Sequence, residues 1–233
     1  MSRDPRIIVA LDYATAAEAE AFVARVSPAR CRLKVGLELY TAAGPAFVGG
    51  LVERGFSVFL DLKFHDIPNT VERACRQAAK LGVDLLTVHC LGGRRMLEAA
   101  CAGVRGGESR TRLIGVTLLT SLGPEDTDEI GLGSDVGART AALATLARAA
   151  GLDGVVCAPT EAQDLRTRFG PGWLLVTPGI RPAGSASGDQ QRTLTPREAA
   201  ARGADLLVIG RPITRAPDPM QALAEIERDL ANV

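Results

Sequence analysis

The stretch Val71–Cys90, VERACRQAAKLGVDLLTVHC, decides the fold. Its first part carries apolar residues at helical spacing, the mark of a helix with one buried face. The helix stops at Lys80-Leu81-Gly82, where glycine can adopt the left-handed turn that closes a helix. That stop leads directly into the short apolar run Leu85–Cys90. The same passage recurs at Ala149-Ala150-Gly151, just ahead of Gly154–Cys157.

Outward from this unit, further apolar runs occur at Ile7–Asp12, Arg32–Gly36, Ser57–Lys63, Leu113–Thr120, Leu174–Gly179 and Leu206–Gly210, making eight in all. Between runs lie Ala16–Val26, Val71–Leu81, Arg139–Ala150 and Pro196–Ala201, each with helical spacing. Nearly continuous apolar strands suit a parallel sheet covered on both faces. Eight strand–helix alternations predict an α/β fold, a (β/α)8 TIM barrel with its active site at the C-terminal face of the strands. An open doubly wound sheet is the structural alternative, but no G-x-G-x-x-G follows the first strand. No linker divides residues 1–233, so one barrel domain is expected. Two long polar loops, Ser121–Ser134 after strand five and Arg181–Gln191 after strand seven, belong at the active face; the second has the small residues of a lid.

Composition narrows the function. The chain is 46% hydrophobic and 23% charged, with 27 basic and 27 acidic residues. A neutral chain lacks the electrostatic footprint for nucleic acid or anionic lipid, so any phosphate it binds is expected at a local site. No apolar stretch approaches the ~18 residues of a membrane span, and the N-terminus has no signal-peptide pattern. The five cysteines show no C-x-x-C spacing, which predicts buried free thiols and a reducing cytoplasm.

The chemistry concentrates in FLDLKFHDIPNT, Phe59–Thr70. Strand alternation puts Asp61 and Lys63 on one side, with Leu60 and Leu62 opposite. Opposite charges at the end of a buried strand are costly to desolvate unless they pair. Asp66 lies just beyond, and Pro68 precedes a helix starting near Asn69 or Thr70. In a barrel, Asp12 at the end of IIVALD and Lys34 within RLKVG converge on the same mouth. The set Lys34, Asp61, Lys63 and Asp66 alternates in sign, so each charge favours the ionised form of its neighbours.

A second constellation is TPGIRP (Thr177–Pro182) with VIGRPIT (Val208–Thr214), after strands seven and eight. Loops at those places form the phosphate site of many barrels. Gly210 permits close approach of the backbone, and Arg211 offers paired donors to phosphate oxygens. His65 reads as a packing residue, and His89 as either packing or mouth-lining. Thr120 and Ser121, at the end of strand five, could reach a base edge or simply cap a turn. No metal-site, Walker or nucleophile-elbow motif is present.

Taken together, DLKFHDIPNT, the LD of strand one, LKVG, TPGIRP and GRPIT closely resemble the bacterial orotidine 5′-phosphate decarboxylase family, from IIVALD to Pro219. The resemblance implies a barrel carboxy-lyase that converts orotidine 5′-monophosphate to uridine 5′-monophosphate in pyrimidine biosynthesis, without metal or organic cofactor. It implies that Asp12 and Lys34 contact ribose, and that Lys63 is the proton donor beside Asp61. Thr120, and Ser121 with it, would lie against the pyrimidine; Arg181, Gln190, Gly210 and Arg211 would hold the phosphate. Asp66, Ile67 and Thr70 would reach into a partner's site across a homodimer interface. Two other readings stay open from the residues: a magnesium-dependent sugar-phosphate lyase or synthase on a related barrel, which shares D-x-K-x-x-D, and a non-catalytic nucleotide-binding barrel.

Overall fold

Each of the eight apolar runs contains a strand: β1 (Ile7–Ala10), β2 (Arg32–Gly36), β3 (Val58–Phe64), β4 (Leu85–His89), β5 (Arg112–Val116), β6 (Gly154–Val156), β7 (Leu174–Thr177) and β8 (Leu206–Ile209). All pair in parallel with their neighbours in sequence order, and β8 returns to β1 to close the barrel. The computed structural model describes residues 5–106, 109–182 and 193–231. Its helices are α1 (Ala16–Val23), α2 (Leu37–Glu53), α3 (Pro68–Lys80), α4 (Gly93–Arg105), α5 (Pro124–Glu129), α6 (Val136–Ala149), α7 (Ala162–Phe169), α8 (Pro196–Ala201), α9 (Arg211–Thr214) and α10 (Pro219–Leu230). Among the described residues no helix is long and apolar enough to cross a membrane.

The two-residue period of the strands divides the core into two layers. Ile8, Phe59, Leu85, Ile114, Val176 and Val208 fill the barrel interior. Their neighbours Val9, Leu60, Leu86, Leu113, Leu175 and Leu207 point outward and pack beneath the helices. Each such buried side chain contributes roughly 1.5–3 kcal/mol relative to exposure. The helix ends obey local chemistry. Thr15 and Thr195 form capping boxes with Glu18 and Glu198, which satisfy amides that the first turn leaves unpaired. Gly82 takes φ of 75°, the left-handed stop that ends α3 and starts the run into β4.

Aspartates recur at the strand starts on the N-terminal end of the barrel. Asp153 accepts from the Leu113 amide at 2.7 Å and Asp205 from the Leu175 amide at 2.8 Å. Asp84 accepts from Arg112 Nη2 at 2.7 and 2.9 Å and also pairs with Arg32, which is 3% exposed. These contacts close the floor of the barrel with fully engaged charge.

Three expectations change. The Ser121–Ser134 loop contains the helix α5, and because β5 ends at Val116, Thr120 and Ser121 stand in the turn beyond the strand rather than at its end. Pro68 is itself the first residue of α3, a position where its missing N–H costs nothing. The alternation through β3 is interrupted, as described below. Gln190, with most of the Arg181–Gln191 segment, lies outside the described residues; the Arg181 amide before it is tied to the Leu194 carbonyl at 2.9 Å.

Candidate active site

At the C-terminal mouth the inward side chains leave a cavity of about 660 Å³. Ala10, Phe59, Val116, Val156 and Val208 form an apolar base, and charged groups stand around the rim. A low-dielectric base strengthens every charge interaction above it.

Four charges, Asp12 from just beyond β1 and the others from β2 and β3, line one side. Lys34 Nζ lies 3.2 Å from Asp12 Oδ1 and 3.9 Å from Asp61 Oδ2; Lys63 Nζ lies 2.8 Å from Asp61 Oδ2. The order is Asp12, Lys34, Asp61, Lys63, alternating in sign. Asp61 is 9% exposed, so its carboxyl group is surrounded by these lysines and by Thr87 rather than by bulk water. An ammonium carries three protons. That of Lys63 pairs with Asp61 and borders the cavity.

Lys63 reaches this position through an irregular strand. Pairing of β3 with β4 runs Phe59 with Leu85 and Leu60 with Leu86, then resumes at Phe64 with Val88. Three residues of β3 (Asp61, Leu62, Lys63) thus stand against the single residue Thr87 of β4. Lys63 takes φ of 51°, the one non-glycine with positive φ among the described residues. Simple alternation therefore put Asp61 and Lys63 on one side for an incomplete reason: a bulge, not a regular pleat, directs Lys63. Thr87 is fully buried; its hydroxyl accepts from the Lys63 amide at 2.8 Å and donates to Asp61 Oδ1 at 3.1 Å. The sequence reading missed Thr87, although the signal was there. In Leu85–His89 the inward positions are Leu85, Thr87 and His89, and a threonine inside a barrel needs polar partners.

Across the cavity, Pro178, Gly179 and Arg181 come from the segment after β7, and Gly210, Arg211, Thr214 and Arg215 from the segment after β8. A Cβ on Gly210 would lie 3.6 Å from Asp12 Oδ2 and narrow the opening between the two sides. Thr120 and Ser121 also line the cavity. So does Tyr13, which the sequence reading passed over; burial pushes its phenol up, and a hydrogen bond with Thr214 opposes that.

Asp66, Ile67 and Thr70 are exposed and do not line this cavity. Within one chain the alternating array thus runs Asp12, Lys34, Asp61, Lys63, without Asp66. Asp66 instead accepts from the Ile67 amide at 2.6 Å. On the same flank Ile67 is 67% exposed, Leu37 57% and Leu91 40%, an unusual concentration of apolar surface beside a polar mouth. His65 is exposed rather than packed in a core, and its ring stacks on His89 at 5.4 Å between centroids. His89 does not line the cavity. Burial, with His65 and Lys63 nearby, lowers its pKa to about 4.

Other chemistries find little purchase. All five cysteines are buried and none forms a disulfide, and burial pushes the Cys31, Cys75 and Cys90 thiols up to about 12. A thiol so shifted supplies negligible thiolate at neutral pH. Among the described residues no three His, Cys, Asp or Glu side chains cluster as metal ligands would.

Comparison with known proteins agrees with this geometry. The chain is 57% identical to an orotidine 5′-phosphate decarboxylase of Halorhodospira halophila over 97% of its own length and 96% of the relative's. It is 55% identical to that of Nitrosococcus oceani over 98% of both chains. Among solved structures, the orotidine 5′-phosphate decarboxylase of Lactobacillus acidophilus superposes with a TM-score of 0.86 at 37% identity, covering 98% of this chain and 99% of that one. A family profile matches residues 5–226, and the chain belongs to the orotidine 5′-phosphate decarboxylase / HUMPS family.

Proposed function

We infer that this protein is an orotidine 5′-phosphate decarboxylase, which converts orotidine 5′-monophosphate to uridine 5′-monophosphate and carbon dioxide. The observation that carries the reading is the Lys63–Asp61 pair, 2.8 Å apart at the edge of an apolar-based cavity with guanidinium groups on its far side. Identity of 57% to a decarboxylase over nearly the whole chain favours this member of the family over its sugar-phosphate branch.

The chemistry follows from what the substrate lacks. When the bond from C6 to the carboxylate breaks, the electron pair stays on C6, in an orbital the pyrimidine ring delocalises poorly. Charge must then be stabilised by groups already in place. Lys63 supplies an ammonium at that point, and its proton moves to C6 to complete the product. Asp61 stands where the departing carboxylate would lie and holds Lys63 at the same time. Lys34 and Asp12 bind the ribose hydroxyls, and Thr120 and Ser121 flank the base. Arg181, Gly210 and Arg211 hold the phosphate; the same role for Gln190 is implied by the family resemblance alone, since Gln190 lies outside the described residues. Binding energy from the phosphate, remote from C6, helps to assemble the site.

Asp66, Ile67 and Thr70 complete the site of a second copy in a homodimer. Their exposure outside the chain's own cavity, next to Leu37 and Leu91, supports this arrangement. An isolated chain would leave that apolar flank in water.

One assay tests the reading. Loss of the orotidine 5′-monophosphate ultraviolet absorbance should proceed at full rate in excess EDTA. Absence of turnover would refute the decarboxylase reading, and turnover restored only by magnesium would favour a sugar-phosphate type of site.

A further inference from the structure

We propose that Thr87 is a positioning residue for Lys63 and Asp61, and that its hydroxyl sets the geometry of the reacting pair; the inference rests on the decarboxylase reading above. The bulge in β3 leaves the Lys63 amide without a ladder carbonyl, because three residues of β3 face one of β4. A buried amide without a partner costs free energy, and a left-handed φ of 51° on a lysine adds to that cost. The side chain of Thr87 removes the first penalty by accepting from that amide at 2.8 Å.

The direction of the contact is fixed by chemistry. A backbone amide only donates and an ionised carboxylate only accepts. Thr87 must therefore accept from Lys63 N and spend its single proton on Asp61 Oδ1, 3.1 Å away. The other oxygen of Asp61, Oδ2, is the one that meets Lys63 Nζ at 2.8 Å. One fully buried hydroxyl thus ties the backbone of the lysine to the carboxylate that holds its ammonium. Loss of the hydroxyl frees both ends of that loop: the Lys63 backbone can relax towards an ordinary strand, and the Asp61 plane can turn. Either motion displaces Nζ, and misplacement of a reacting group by about 1 Å can cost on the order of a hundredfold in rate.

Thr87 does not line the cavity, so the prediction separates kcat from binding. In Thr87→Val, kcat for orotidine 5′-monophosphate should fall about 10- to 100-fold, the range expected for lost hydrogen bonds to a charged group. KM and the affinity for uridine 5′-monophosphate should stay within about threefold of wild type. Thr87→Ser keeps the hydroxyl and should restore kcat to within about threefold. Thr111→Val removes another buried hydroxyl, bonded to the Val83 carbonyl at the opposite end of the barrel, and should leave kcat unchanged. If Thr87→Val does not fold, Thr87→Ala carries the same test without a methyl facing the Lys63 amide. Unaltered kcat in the hydroxyl-free variant would overturn the proposal, as would a parallel loss of nucleotide affinity or a failure of serine to restore the rate. Failure of the wild-type chain to turn over the nucleotide would instead overturn the decarboxylase reading, so the two remain distinguishable.

Discussion

The two ends of one barrel carry charge in opposite ways. At the N-terminal end Asp84 is held by Arg32 and by Arg112, whose Nη2 meets both carboxylate oxygens, while Asp153 and Asp205 take strand amides. Guanidinium groups spread several donors over neighbouring acceptors and remain protonated, which suits permanent closure. At the C-terminal end the cations opposite Asp12 and Asp61 are lysines, single-point donors on flexible stems, and the cavity begins where their pairing stops. Lysine gives up a proton where arginine does not. The contrast shows that alternating charge alone does not mark a site. What marks it is charge held tightly on one side and open to a cavity on the other.

The largest effect should come from breaking the upper array. Lys63→Ala should lower kcat roughly ten-thousandfold or more, since it removes both the stabilising charge and the proton donor. That loss corresponds to about 5.4 kcal/mol in the barrier, while uridine 5′-monophosphate should still bind. Turnover near wild type, measured by the ultraviolet assay, would dismiss Lys63 as the donor. The lower end should respond in the opposite currency. Asp84→Ala removes the carboxylate that Arg32 and Arg112 share and should lower unfolding free energy by about 3 kcal/mol, read by urea titration, with kcat little changed in the folded protein. A large drop in kcat without loss of stability would erase the distinction between the two ends.

How much of this could be read in advance differs between the ends of the strands and their interiors. All eight strands, the barrel and the convergence of Asp12, Lys34, Asp61 and Lys63 followed from apolar runs, glycine stops and a two-residue period. Those signals are local, and the fold repeats them eight times. The bulge that directs Lys63 has no local signature, because it depends on how β3 slides against β4. Thr87 was legible by parity yet overlooked, since one threonine in LLTVH reads as ordinary strand composition. Asp66 stands outside the chain's own cavity, and the role the resemblance gives it lies in the site of a second copy. Beyond Phe64 the strand ends and the period no longer applies, so the side chain faces outward.

The smallest predicted effect concerns acid, and it separates the ends through His89. Its ring is partly buried at the end of β4 and stacks on His65, and its pKa falls to about 4, first through desolvation and then through His65 and Lys63. In the unfolded chain the ordinary value is near 6.5. Above that pH neither state holds the proton, and the residue contributes no pH dependence. Between about 6.5 and 4 the unfolded chain takes up a proton that the folded one refuses, so stability must fall as pH falls through this window. Urea unfolding at pH 7.5 and pH 5 should show the wild-type chain losing about 1–2 kcal/mol more than His89→Gln, a figure reduced for the partial exposure of the ring. Asp84→Ala should lower stability by a similar amount at both pH values, because its effect comes from removing a carboxylate shared by two arginines that stay charged throughout. If wild type and His89→Gln lose stability equally, the ring is solvated in the folded state and the upper mouth is wetter than its packing indicates.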